Sequence, residues 1–270
     1  MKKRNPGRLL AASLLAVLGM GFLAGSASAD RKYFLQSYTP YLAQAGTLEL
    51  ETWLTARSGK QDPREHTAWA QRLEFEYAVA DRLTAAAYLN FSQPSGEAMH
   101  FDSPSLELIY RLTEAGSFPL DSALYLETSE SGEELEIEPK ILLARRFGRF
   151  VSTTNLIGEL EYRHNDEELL PDGRILRKAF TGEISAGVAY ELATPVAIAL
   201  EAKCRADYPN FGRRSAAVWS LGPSLNLQSG KVQLAVGVLS QISGTPKTRG
   251  NRNLVDFEKT QVRAILGIDL

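Results

Sequence analysis

One cysteine, Cys204, and three histidines, His66, His100 and His164, are all that 270 residues offer of these types. A single thiol cannot close an intramolecular disulfide, and multi-cysteine metal sites are excluded with it. Neither a glycine-rich phosphate loop, a metal-ligand array nor a paired-carboxylate catalytic signature occurs, so no cofactor, metal or catalytic residue is expected. Basic residues are also few: 30 Lys and Arg stand against 32 Asp and Glu. That balance provides no footprint for a nucleic-acid partner, whose recognition rests on basic patches. Beyond residue 29 no uninterrupted apolar run reaches the length of a membrane-spanning helix, so a spanning chain must take the form of a closed barrel. No Pro/Ser-rich linker, heptad run or low-complexity tract divides what remains, which favours one domain.

What is present begins with a leader. Lys2, Lys3, Arg4 and Arg8 precede an apolar run from Leu9 to Leu23, and Ala27, Ser28 and Ala29 form a small-residue cleavage site. Residues 1–29 therefore read as a Sec-type secretory signal, cleaved before Asp30. Its removal subtracts four basic residues and no acidic ones, leaving 26 against 32 and a net charge of about −6. Residues 30–45 carry Tyr33, Phe34, Tyr38 and Tyr41. They are expected to form a periplasmic segment that either plugs the barrel mouth or covers it, with the barrel itself spanning 46–270.

The stretch from Gln71 to Val79 sets Arg72, Glu74 and Glu76 between Leu73, Phe75, Tyr77 and Val79. Strict alternation builds a sheet with one apolar and one wet face, because successive strand side chains point to opposite sides. The pattern recurs. Strands are expected over 46–56, 67–79, 82–92, about 106–112, about 124–127, 134–145, 151–164, 180–190, 196–205, 219–227, 232–238 and 262–270. Pro139 inside the sixth removes a ladder donor and predicts a bulge or mispaired position. Twelve is an even number, as single-chain outer-membrane barrels require. Connections alternate between short turns, near Ala80–Arg82, Phe147–Arg149, Glu191–Thr194 and Gln228–Gly230, and longer Gly/Pro/Asp/Asn-rich loops. Thr113–Asp121 is long for a turn and Ser129–Glu133 short for a loop. On the eighth strand Phe180 and Tyr190 share a face ten residues apart, roughly 25 Å for a tilted strand, the height of an apolar band between aromatic girdles.

The face opposite the apolar rows holds Glu49, Glu51, Arg72, Glu74, Glu76, Glu107, Arg111, Glu136, Glu138, Lys140, Glu159, Glu161, Arg163, Glu183, Glu201, Lys203, Arg205 and Arg263. So many ions cannot form a dry core, since each unpaired buried charge costs several kcal/mol. They are expected to line a lumen, with the apolar rows against lipid. The fold class is thus all-β: a transmembrane, antiparallel, up-and-down barrel of about twelve strands, located in the outer membrane. The opening FLQSYTPYLAQAGTLELETWL, an aromatic Tyr/Thr segment before a glycine and a Leu-Glu-Leu-Glu strand, resembles the start of an uncharacterised family of proteobacterial outer-membrane β-barrel proteins. More distantly, the mature chain resembles barrels grouped with phenol-degradation-pathway transporters. That resemblance implies outer-membrane lipid and the barrel-assembly machinery as partners, and transfers no ligand residue.

Passage of a small solute through a narrow lumen is the first functional expectation, because eight strands are filled by side chains and sixteen leave a wide channel. An acidic lumen would favour cations or neutral solutes. A closed structural or surface-interaction barrel, its charges locked in a salt-bridge lattice, is the alternative. A hydrolase would need a His and a Ser two apart on a strand. None of the histidines supplies that, the nearest grouping being His100, Asp102 and Ser103 in an expected loop. The acidic loop 165–173 does not follow EF-hand spacing.

Overall fold

The computed structural model describes residues 31–62, 66–164, 169–170 and 173–270. The secretory signal expected at 1–29 lies outside these residues, as does most of the acidic loop 165–173. Twelve strands follow one another: β1 (Leu48–Ser58), β2 (Thr67–Ala80), β3 (Leu83–Gln93), β4 (His100–Arg111), β5 (Asp121–Glu130), β6 (Glu134–Phe147), β7 (Phe150–Arg163), β8 (Lys178–Ala193), β9 (Val196–Pro209), β10 (Ala216–Ser229), β11 (Val232–Thr245) and β12 (Thr260–Asp269). Each pairs with its sequence neighbours, and β1 pairs antiparallel with β12 through Glu51↔Gly267 and Thr55↔Arg263, closing the barrel. Closure leaves no sheet edge to template association.

The two faces have exchanged the roles they hold in a soluble protein. On β4 Leu106 is 64% exposed and its neighbour Glu107 is 1% exposed; on β2 Phe75 is 49% and Glu76 4% exposed. Rows of leucine, isoleucine and valine turned outward around the whole circumference are stable against hydrocarbon and not against water. Aromatic pairs mark the two ends of the apolar band. Phe150 and Tyr190 lie 4.7 Å apart at the short-turn end, while Phe180 and Tyr208, 5.7 Å apart, lie at the loop end.

The structure lengthens several strands beyond the expected bounds. β4 begins at His100, β9 runs to Pro209 and β11 to Thr245, all into stretches expected as loops. Beyond the lipid band an outward residue need not be apolar, so alternation fades while the hydrogen-bond ladder continues. Of the bulge or mispaired position expected at Pro139, the structure shows the second: Glu138 and Pro139 have no ladder partner on β7. Pro139 pairs with Leu126 on β5, and toward β7 the ladder passes from Ile137↔Leu160 to Lys140↔Ile157 in unchanged register. The missing donor costs ladder bonds on one side without displacing the strand. Register shifts occur instead in the β2/β3, β3/β4, β8/β9 and β10/β11 pairs.

Candidate functional site

Residues 31–47 precede β1 and run inside the barrel. The path starts at the short-turn mouth, where Arg31 Nη1 donates to the Thr194 carbonyl at 2.8 Å and Arg31 Nε to Asn226. Tyr33 donates its hydroxyl to Glu191 at 2.5 Å and accepts from Arg146 Nη2 at 2.7 Å. The backbone then turns at its deepest point. Glu201 on β9 accepts three consecutive N–H groups, from Leu35 at 2.7 Å, Gln36 at 3.1 Å and Ser37 at 3.0 Å. Asn155 on β7 accepts from Tyr38 N at 2.6 Å and donates to Tyr38 O at 3.0 Å. The chain returns to the same mouth, with Tyr41 donating to Asp121 at 2.8 Å and Gly46 N donating to Ala78 O at 2.8 Å. Burial and the bond to Asp121 push the Tyr41 phenol above its usual range, so it stays a neutral donor.

The barrel wall is cut to fit this segment. A Cβ at Gly187 on β8 would meet the Phe34 ring; one at Gly237 on β11 would meet Leu35 Cδ1 and, closer still, the Pro223 carbonyl of the adjacent β10. Inward apolar residues complete the seat: Tyr33 and Phe34 pack on Val151, Ala189, Ala197 and Ala199, while Leu42 packs on Ile109, Ala123, Tyr125 and Leu142. The Tyr38 ring sits between Trp53, at 6.3 Å and stacked, and Tyr125, at 5.1 Å, with Lys140 Nζ 4.7 Å from its centroid.

Charge is distributed unevenly around this plane. Glu49, Glu51, Glu74, Glu76 and Glu107, on β1, β2 and β4, are all buried. Carboxylate oxygens of Glu74, Glu76 and Glu107 lie within 4.8 Å of one another. Lys32 of the segment answers part of that charge, 3.4 Å from both Glu51 and Glu76. Arg72 reaches Glu127 at 3.6 Å and Glu74 at 3.9 Å. The Tyr125 hydroxyl lies 2.7 Å from Glu107 and 2.5 Å from Glu127, and its one proton serves either.

Above the segment, toward the long loops, two adjoining cavities of about 710 and 400 Å³ open. Gln36 borders both, and Tyr38 and Trp53 border the smaller. Glu136, Glu138, Lys140, Glu159, Glu183, Lys203, Arg205 and Arg263 all face this space. Lys140 pairs with Glu138 at 2.7 Å, Lys203 with Glu183 at 3.2 Å, and Arg205 with Glu159 at 3.8 Å and Asp207 at 2.9 Å. Glu161 and Arg163 pair at 3.5 Å toward the loop end of β7. Arg111 sits instead at the turn-side rim, 3.1 Å from Glu114.

The histidines stand apart. His100 opens β4, not a loop, and its Nε2 lies 3.2 Å from Ser92 Oγ rather than near Ser103, which is engaged by Asn90 and Ser129. His164 Nε2 lies 2.7 Å from Glu130, and His66 N donates to Ser95. Sequence reasoning missed the neutral side chains that hold the segment: Asn155, Ser224, Asn226 and Gln233, the last accepting from Lys32 N at 3.0 Å. Their signal in the sequence is their place on the inward face of alternating strands, and it is faint because they carry no charge.

Residues 122–270, more than half of the chain, match the model of a family of unknown function, DUF6662. No curated protein matches the sequence. Among solved structures, the NanC porin aligns with a TM-score of 0.57 at 12% identity, over 82% of this chain and 98% of its own. The COG4313 outer membrane channel from Pseudomonas putida F1 aligns with a TM-score of 0.59 at 12% identity, over 85% of this chain and 97% of its own. At that identity the likeness is one of fold: this chain is a transmembrane β-barrel of the outer-membrane kind.

Proposed function

The chain belongs to the DUF6662 family, whose function is unknown, and for it we propose a narrow outer-membrane channel for a small solute, held closed on the turn side by residues 31–47. The observation that carries this reading is the seating of that segment. Three successive backbone N–H groups converge on one buried carboxylate, Glu201, while the loop side keeps an open, polar cavity. A wall built only for rigidity has no use for a separate peptide occupying its bore, and twelve strands enclose space between the filled eight-stranded and the wide sixteen-stranded barrels. The two solved channels named above agree with passage of a solute. Hydrolysis is the weaker reading: His100 Nε2 does lie 3.2 Å from Ser92 Oγ, but the pair is exposed, and the other ring nitrogen faces the Ala98 carbonyl at 3.4 Å where a triad would place a carboxylate.

Conductance across planar bilayers tests the proposal. The mature chain is expected to show small or rare openings, and a chain lacking residues 31–45 a steady current several times larger. Absence of current from both, with folding verified by heat-modifiable mobility on electrophoresis, would favour a second reading. In that reading the ion pairs of Lys140, Lys203 and Arg205 stiffen a permanently shut barrel.

A further inference from the structure

We propose that the loop-side cavity takes a small organic carboxylate, seated against Arg263 and Arg57 above the Trp53 ring; the inference rests on the channel reading and names its solute class. The charges that face this cavity are not equally satisfied. Arg205 has Asp207 at 2.9 Å and Lys203 has Glu183 at 3.2 Å. Among the described residues Arg57 pairs only with Glu258, at 3.8 Å and part-exposed. Arg263, between them on β12, has no carboxylate within 4.0 Å among the described residues. Its Nε donates to Thr55 Oγ1 at 2.9 Å and its Nη1 to the Leu35 carbonyl at 2.6 Å, both neutral acceptors, and among the described residues its Nη2 has no hydrogen-bond partner.

A guanidinium part-buried beside neutral acceptors keeps its full charge and an unused pair of N–H donors. Its natural complement is an oxyanion, because a charge-assisted, fork-like bond is stronger than the neutral ones it already makes. Trp53 fixes the geometry from below. Its ring lies 5.2 Å from the Arg263 guanidinium carbon and 5.1 Å from that of Arg72, so the cation is propped at the cavity floor rather than folded onto the wall. Among the described residues four cavity acids have no basic partner: Glu136 and Asp102 on β6 and β4, Glu97 before β4, and Asp256 four residues before β12, where it accepts from Asn253 Nδ2 at 2.6 Å; none of them lies within 4.0 Å of Arg263. The acidic excess of the lumen face predicts cations or neutral solutes; the unmatched guanidinium at the cavity floor favours an anion instead. A carboxylate presents two coplanar oxygens to the guanidinium fork, and the cavity bordered by Trp53, about 400 Å³, has room for a small organic anion.

The test uses the mature chain in detergent, with Trp69→Phe and Trp219→Phe, which lie on the outer face, leaving Trp53 as the only indole. Gluconate, its neutral counterpart glucose, and choline are titrated against Trp53 emission. Gluconate is expected to give a saturable change, glucose and choline none. Arg263→Gln and Arg57→Gln, each verified as folded by heat-modifiable mobility, are expected to weaken gluconate binding about tenfold or more. An equal response to choline, no response to gluconate, or wild-type titration by folded R263Q would overturn the inference; if R263Q does not fold, wild-type titration by R57Q does so. Planar-bilayer current separates this failure from that of the channel reading. Current without gluconate binding removes the carboxylate site alone, and gluconate binding without current removes the channel and leaves the site.

Discussion

Glu201 is buried, carries a carboxylate, and is satisfied almost wholly by the backbone of Leu35, Gln36 and Ser37. Three N–H groups pointing one way form a concave donor set for an anion. Removing the acceptor leaves buried donors unpaired, at about 1–3 kcal/mol each. Glu201→Ala is therefore expected to speed amide exchange at Leu35, Gln36 and Ser37 at least tenfold, measured by hydrogen–deuterium exchange with mass spectrometry. Glu201→Gln should fall between, since its amide offers one acceptor oxygen and places donors against donors. Unchanged exchange in the alanine variant would show that Phe34 and Leu35 packing alone holds the segment. Gly187, opposite Phe34, makes the same point in steric form: the wall lacks a Cβ where the segment needs room.

At the scale of the strand, side-chain direction matters more than composition. Ile184 at the middle of β8 is 53% exposed, and its neighbour Ser185 is fully buried, with its hydroxyl 3.0 Å from that of Ser37. Ile184→Arg is expected to destabilise the folded barrel by about 2–3 kcal/mol in phosphatidylcholine vesicles, the cost of a guanidinium near the bilayer midplane. Urea titration followed by tryptophan emission measures it. A shift under about 0.5 kcal/mol, the range of ordinary surface sites, would mean that the face meets water. Breaks in alternation carry information as well. Leu108–Ile109 on β4, Ile141–Leu142–Leu143 on β6 and Phe150–Val151 on β7 place apolar residues on consecutive positions, hence on both faces. Ile109, Leu142 and Val151 are buried and inward, and they are the surface on which the aromatic segment packs. An apolar patch inside a charged lumen requires an apolar occupant.

For the whole molecule, the barrel and its leading segment form a host and guest joined by a short connection at Thr47. Lys32 brings a positive charge to buried Glu51 and Glu76, so emptying the lumen leaves those carboxylates without their nearest counter-charge. A synthetic peptide of residues 31–47 added to the barrel lacking 31–45 is expected to reduce its current. The reduction should occur only from the turn side, because the segment both enters and leaves by that mouth. Single-channel recording with peptide in one chamber at a time measures this, and equal block from both sides would exclude the seated geometry. A peptide carrying Lys32→Gln should block more weakly, with the difference shrinking at high salt as ionic attraction is screened.

The period of two in the sequence determined the strands, their even count, the closed barrel and the outward apolar surface, because each follows from local alternation and from the bilayer's demand that every backbone group be paired. Only tertiary structure decided what fills the bore. Whether Tyr33 to Leu42 cover the mouth or enter it depends on long-range partners, 164 to 166 residues away in the case of Glu201, and on Gly187, whose meaning appears when Phe34 lies against it. The sign of the group left unmatched at the cavity floor was likewise hidden, since net charge is a sum over the chain while recognition depends on which ions already have neighbours.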